Sequence, residues 1–199
     1  MKRILLFVFL ILGISLTFSQ RRKIKFDKVV RVKKSEIQWW GYKIVKSEHT
    51  THTGVVPMKM GKLLFNNKKL VGGEFLIDMR KLNNTDLRGK SHDLLNKHLK
   101  SSDFFDVRKY PMAKFKISKL IPQKDKEYNY EVVGRITIKG VRKTISFPAN
   151  IVKNDYAITF TSAKFSINRQ DFKAFYNYCV KDYFIRDEVD LKIQFSTIK

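Results

Sequence analysis

Cysteine is nearly absent. The 199-residue chain holds one, Cys179, so it can form no internal disulfide, and no cysteine cluster supplies the three or four convergent ligands of a structural metal site. Cys179 reads as a small apolar side chain near the core. Proline is scarce, at 4 residues, and no Pro- or Ser-rich tract or repeat divides the chain. No apolar run reaches the roughly 20 residues of a membrane-spanning helix. The sequence also lacks a Gly-x-Ser-x-Gly elbow, a phosphate loop and a His-Glu-x-x-His pair. Its histidines are too few and too scattered for a metal set: His49 and His52 stand three apart, with His92 and His98 far downstream. Neither a metal site nor catalytic residues are expected, and the chain reads as a protein that is not an enzyme.

Acidic residues are the other shortage, with 18 Asp and Glu against 41 Lys and Arg and a net charge of +23. In a cytosolic protein that excess would point to nucleic acid. The N-terminus argues otherwise. Lys2 and Arg3 precede an unbroken apolar run from Ile4 to Leu12, and Thr17 and Ser19 put small residues at the third-last and last positions of a cleavage site. Residues 1–19 therefore read as a secretory signal peptide, leaving residues 20–199 as one periplasmic or secreted domain. Without Lys2 and Arg3 the net charge falls from +23 to +21. The lysines are spread through every segment, so two readings stay open: attraction to anionic membrane surfaces or acidic polymers, and a solvated surface with no specific partner. Nucleic acid is not expected, and a homodimer is left open.

What the chain has in abundance is alternation. Around Ile37 and Trp39, then Val71, Phe75, Ile77 and Met79, then Ala113, Phe115 and Ile117, apolar residues recur every second position, the period of a half-buried strand. The cleanest case is residues 128–139, where Tyr128, Tyr130, Val132, Gly134, Ile136 and Ile138 share one face. Ile145, Phe147 and Ala149 follow, then Ile158 and Phe160, then Phe165 and Ile167 after a parity slip near Thr161-Ser162 that predicts a β-bulge. Val189, Leu191, Ile193 and Phe195 form the last series. Eight or nine long antiparallel strands, adjacent along the chain, predict an all-β barrel or sandwich, and their length favours the barrel.

One stretch breaks the pattern. Leu94, Leu95, His98 and Leu99 fall at helical spacing, predicting about two turns that stop near Ser101-Ser102. Phe104 and Phe105 follow, two large rings in a polar connection. They either plug a core or form the lip of an apolar pocket. The strand faces are also rich in rings: Trp39, Phe65, Phe75, Phe115, Tyr130, Phe147, Phe160, Phe165 and Phe195. An eight-stranded barrel is just wide enough to be filled by side chains or to hold one slim ligand. Periodicity does not separate the two, and close packing of interiors favours the filled core.

In order, residues 35–43 (Ser-Glu-Ile-Gln-Trp-Trp-Gly-Tyr-Lys), His52-Thr53-Gly54, residues 71–79, residues 99–107 with Tyr110-Pro111, residues 134–141, Phe147-Pro148, Ile167-Asn168-Arg169-Gln170-Asp171-Phe172 and Arg186-Asp187-Glu188-Val189 resemble the motif series of the YceI-like family of exported lipid-binding proteins. The resemblance implies an extended eight-stranded, lipocalin-like antiparallel β-barrel with a short helical cap and a long apolar tunnel. It further implies a carrier or sequestering protein whose ligand is an isoprenoid lipid, either an isoprenoid quinone or a polyprenyl phosphate, with no other cofactor. On this reading Trp39, Phe65, Phe75, Ile77, Phe115, Tyr130, Ile136, Phe147, Phe160 and Phe165 line the tunnel, with Leu95, Leu99, Phe104 and Phe105 at its cap. The resemblance tilts Phe104 and Phe105 from plug to lip.

Three residues are candidates for the lipid head group. His52, in the expected His-x-Gly turn, can donate to a quinone or phosphate oxygen, or else bonds the backbone. Lys43 can snorkel to a barrel mouth. Arg169 is the third, with pairing to Asp171 or Asp187 as its plainer role. Two further readings are an enzyme using His52 as acid or base and a basic envelope protein binding anionic polymers or membrane surfaces. Asn83-Asn84-Thr85 matches a glycosylation acceptor pattern, which is weak by itself. Family members often carry glycine where this chain has Lys173, after Asp171-Phe172, and the connection from Lys173-Ala174-Phe175-Tyr176 to Lys181-Asp182 is short. That departure leaves lipid length and head group open.

Overall fold

The first hairpin closes the molecule. In the computed structural model, described over residues 24–45, 48–124, 127–175 and 183–197, β1 (Lys28–Arg31) pairs with β4 (Met58–Asn66), and β2 (Lys34–Val45) pairs with β3 (Glu48–Val55). Both ladders share one register, from Lys28 opposite Phe65 to Val45 opposite Glu48. They are a single long hairpin whose middle opens where Pro57 has no N–H to offer. Two bonds still bridge the opening, Val32 N to Gly61 O and Val56 N to Ile37 O, each 2.9 Å.

From β4 the antiparallel sheet continues through β5 (Lys69–Asp78), β7 (Met112–Pro122), β8 (Tyr130–Ile138), β9 (Val141–Lys153) and β10 (Ile158–Ser162) to β12 (Tyr183–Ser196). β12 then pairs with the free edge of β2. Because β1 and β2 are one continuous stretch of chain, the sheet that leaves through β4 returns to its own first strand. Twelve strand segments therefore make eight arms of a curled barrel, in which β9 meets β10 only from Ala149 to Lys153. The short segments are β6 (Asn83–Asn84), paired with β3, and β11 (Phe165–Asn168), paired with β12.

The predicted bulge separates β10 from β11. Phe160 faces Phe195, but Phe165 faces Leu191, a slip of one residue. Ser162 sits at the slip, fully buried, and its Oγ accepts the Ile193 N–H at 2.9 Å, replacing a ladder bond. The slip returns Phe165 to the inner face, so Phe160 and Phe165 both point inward despite opposite parity.

The predicted helix is longer than its apolar stripe. α1 runs Gly89–Lys100, and its end is where expected: the Ser101 Oγ donates to His98 O at 2.8 Å. Its anchor is polar. Asn96, buried, donates from Nδ2 to Asn83 Oδ1 and accepts the Asn84 N–H at Oδ1, both at 2.9 Å. The candidate glycosylation pattern thus serves as a docking strip for α1. Residues 1–19 and Cys179 lie outside the described residues.

Candidate functional site

Inside the barrel five phenylalanines form a circle. Phe75 meets Phe115 (6.2 Å between centroids), Phe115 meets Phe147 (5.7 Å), Phe147 meets Phe160 (6.5 Å), Phe160 stacks on Phe195 (4.5 Å) and Phe195 returns to Phe75 (5.3 Å). The inner face carries these rings because each occupies an inward position of its strand; their contacts are offset and tilted, as ring quadrupoles prefer. Across the barrel this circle is a floor.

Above the floor lies a cavity of about 460 Å³, within the range of ligand pockets. Its walls come from β2, β3, β5, β7, β8, β9, β11 and β12, and its roof from α1 and the connection after it. Trp39, Ile77, Leu95, Leu99, Phe104, Phe105, Phe115, Ile136, Phe147 and Phe165 all line it, as do Lys43, His52 and Arg169. Phe104 and Phe105 meet edge to face at 4.8 Å and 78°. Phe104 is buried and Phe105 half-buried, so the pair is at once cavity lining and core.

Four predicted tunnel residues stand elsewhere. Phe75 and Phe160 belong to the floor and not to the cavity, and Phe65 lines a separate cleft beyond it. Tyr130, opposite Ala149 and Pro122 near the far end of β8, lines neither. Period two tells which face a residue takes, not how far along the barrel it lies; the floor decides which side of it each ring falls on.

His52 is not in a turn. It sits within β3 opposite Gly41. Its Nδ1 pairs with Asp86 Oδ2 at 2.7 Å, and the Thr53 N–H donates to the other Asp86 oxygen at 2.9 Å. Burial pushes the Asp86 carboxyl up, but the bonds from His52 and Thr53 outweigh it and hold the group below the usual carboxylate range. The pair straps the segment ahead of α1 to β3. The neighbouring glycine has its own reason: a Cβ on Gly54 would lie 2.1 Å from Asn83 O and 2.5 Å from the Trp39 ring. Only glycine lets β6 and the indole close over β3 there. The Trp39 Nε1–H is buried and meets no acceptor among the described residues, a lone donor in an apolar wall.

Arg169 is committed to the wall. Buried, it donates to Ala174 O (2.7 Å), Asp187 Oδ1 (2.9 Å) and Arg186 O (3.2 Å), and its guanidinium lies 5.9 Å from the Phe104 ring. Asp171 instead takes Lys143, at 3.0 Å. Lys43, opposite Ile185 on β12, has no ion-pair partner among the described residues, so it is the cation at the mouth with a charge to offer. Arg186 joins it there, stacked 5.1 Å from the Tyr42 ring.

Much of the lining supplied by β2 and β12, including Ile37, Val189, Leu191 and Ile193, is not among the residues predicted from the sequence. Their parity was legible; their height was not. Arg186 and Ile185 had no signal, since a register shift between Ile185 and Val189 brings both to the mouth. His98 on α1 was read as part of an apolar stripe and does line the roof, 5.7 Å edge-on from Phe104. Burial holds its pKa below the ordinary imidazole value, with Asp103 opposing weakly. Among the described residues no three His, Cys, Asp or Glu side chains converge as a metal set would require.

An antiparallel barrel around one apolar cavity, roofed by a helix and floored by rings, defines a lipocalin-like container. The model of the YceI-like domain matches residues 28–197, and the chain belongs to that family. Curated relatives match over shorter spans: a UPF0312 protein of Pseudomonas putida is 41% identical over 59 residues, 30% of each chain, and one of Pectobacterium carotovorum is 33% identical over 69 residues, 35% of this chain and 34% of that one. The match thus spans about a third of those relatives' length. Among solved structures, Burkholderia cenocepacia BcnA superposes with a TM-score of 0.65 at 22% identity, covering 83% of this chain and 98% of that one. A polyisoprenoid binding domain from Saccharophagus degradans gives 0.58 at 13% identity, covering 85% and 97%. At those identities the likeness is one of fold.

Proposed function

We propose that the protein binds an isoprenoid-type lipid, a prenylated quinone or a polyprenyl phosphate, with its tail in the apolar cavity and its head group at Lys43 and His52. It works as a carrier or sequestering protein outside the cytoplasm, after loss of residues 1–19. The observation that carries this reading is the cavity itself: lined mostly by apolar side chains, closed below by the phenylalanine circle, and bordered at its mouth by Lys43, a cation with no ion-pair partner among the described residues. Burying an apolar tail contributes about 0.8 kcal/mol per CH₂, offset in part by the cost of ordering a flexible chain. Such a site requires walls and no reactive group, and the reading is of a binder and not a catalyst. The binding of a polyisoprenoid by the Saccharophagus degradans domain supports the choice of tail.

Native mass spectrometry of protein purified from its own cell envelope, followed by organic extraction, tests the reading. A co-purifying prenyl lipid is expected. No bound lipid and no uptake of added prenyl ligands would sink it. Lys43→Met separates the head groups: it weakens a prenyl phosphate by roughly tenfold, the weight of one charge-assisted hydrogen bond, and leaves a quinone nearly unchanged.

A further inference from the structure

The end of the barrel below the floor has a different character from the mouth. A second cleft of about 760 Å³ lies there, between β1 and the turn joining β9 to β10. Five exposed cations line it: Lys28, Arg31, Lys33, Lys68 and Lys153. None is ion-paired with a described residue, as Lys62 and Lys116 are with Glu74, Lys143 with Asp171 and Lys164 with Asp190 on the sides of the barrel. The one acid lining the cleft, Asp27, spends a carboxylate oxygen on the Asn67 N–H at 2.7 Å. Asp155 stands nearby on the β9–β10 turn, so the end carries a clear positive excess.

Apolar groups stand among those charges. Tyr156 is 81% exposed, Val152 55%, Phe26 51% and Val29 45%. They are four of the seven large hydrophobics exposed among the described residues, gathered at one end. A solvated basic surface needs no such rings, and an acidic polymer dissolved in water has no use for them. Cations interleaved with exposed aromatic and aliphatic side chains fit a bilayer interface, where rings sit at head-group depth and lysines reach phosphates.

We propose that this end of the barrel docks on an anionic phospholipid surface, with Lys28, Arg31, Lys33, Lys68 and Lys153 on the lipid phosphates and Phe26 and Tyr156 entering the head-group layer. The docking is independent of what fills the upper cavity. It holds the mouth away from the bilayer that the protein is bound to.

Sedimentation of the protein with vesicles tests this, comparing phosphatidylglycerol mixed into phosphatidylcholine against phosphatidylcholine alone. Binding is expected only with the anionic lipid. Lys28→Glu/Lys153→Glu weakens it by roughly 25-fold or more, at about fivefold per cation removed. Phe26→Ser/Tyr156→Ser also weakens it and leaves a remainder that salt abolishes. Lys90→Glu/Lys97→Glu, the same charge change on the outer face of α1, leaves it within about twofold, since that helix lies at the other end. If the α1 pair weakens binding as much as the cleft pair, net charge alone is responsible and the proposal falls. Undiminished binding by the ring variant, with soluble polyphosphate competing as well as vesicles, would assign the cleft to an acidic polymer instead.

Discussion

The Lys139 ammonium donates to the Phe104 carbonyl at 2.8 Å, and the same nitrogen reaches Lys173 O at 2.9 Å and Ser102 O at 3.2 Å. One side chain on the β8–β9 turn thus ties together the lip of the cavity and the loop that follows Arg169. Neither loop has a ladder to hold it there. Lys139→Met keeps the stem and removes the three bonds. We expect it to cost about 1–3 kcal/mol in thermal or urea unfolding and to accelerate loss of bound lipid in native mass spectrometry. Unfolding unchanged within error, together with normal lipid retention, would show that the lip is held by packing alone.

Lip and floor predict opposite outcomes on the ligand. Phe104→Ala or Phe105→Ala opens the roof, so lipid retention falls sharply. Phe195→Ala removes a floor ring; it costs about 3–5 kcal/mol of stability but retains lipid. The floor also limits the tail. From Ile37 to Lys43, the extremes of the cavity on β2, the strand rises about 20 Å, or about 15 Å along a barrel axis at ordinary tilt. That holds about three extended isoprene units at about 5 Å each. In a graded series of prenyl alcohols, affinity is expected to stop rising near that length in the parent protein and to keep rising in Phe195→Ala. A parent plateau that matches the variant's would show that the circle is no barrier.

His98 makes the roof sensitive to acid. Its folded pKa lies below the ordinary imidazole value because burial disfavours the charge. The unfolded chain therefore binds the proton more readily, and stability rises with pH through this group. Its contribution is complete above the unfolded value of about 6.5 and is lost as pH falls through the lower folded value. Unfolding measured from pH 7 to 5 should show a decline that His98→Phe flattens. A parallel decline in both proteins would place the acid sensitivity elsewhere.

Lys173 occupies a left-handed conformation, φ 58° and ψ 28°, after the turn at Gln170–Phe172. The resemblance to the YceI-like family implies that glycine often stands here, and a lysine in this conformation carries strain that glycine would not. Lys173→Gly is expected to stabilise by about 0.5–1 kcal/mol after its larger loss of chain entropy. Destabilisation would mean that the lysine side chain contributes a contact that outweighs the strain.

Much of this protein was legible before its structure. Alternation at Trp39, Phe115, Ile136 and Phe147 assigned the inner face because a strand repeats every two residues whatever surrounds it. The parity slip before Phe165 located a bulge for the same reason. Helical spacing found α1 at Leu94–Leu99 but not its start, because Asn96 and its partners Asn83 and Asn84 fasten the first turns from another strand.

Sequence by itself determined the class of fold, the faces of its strands and the basic, cysteine-poor surface, all of which depend on residues near one another along the chain. Tertiary structure decided height and commitment. Only closure of the sheet put Phe65 beyond the floor, Phe75 in it and Ile77 above it, moved His52 from a turn to the middle of β3, and spent Arg169 on Asp187 while leaving Lys43 without an ion pair among the described residues. Those outcomes depend on which distant strands meet, and at what register, and that is information a period of two does not carry.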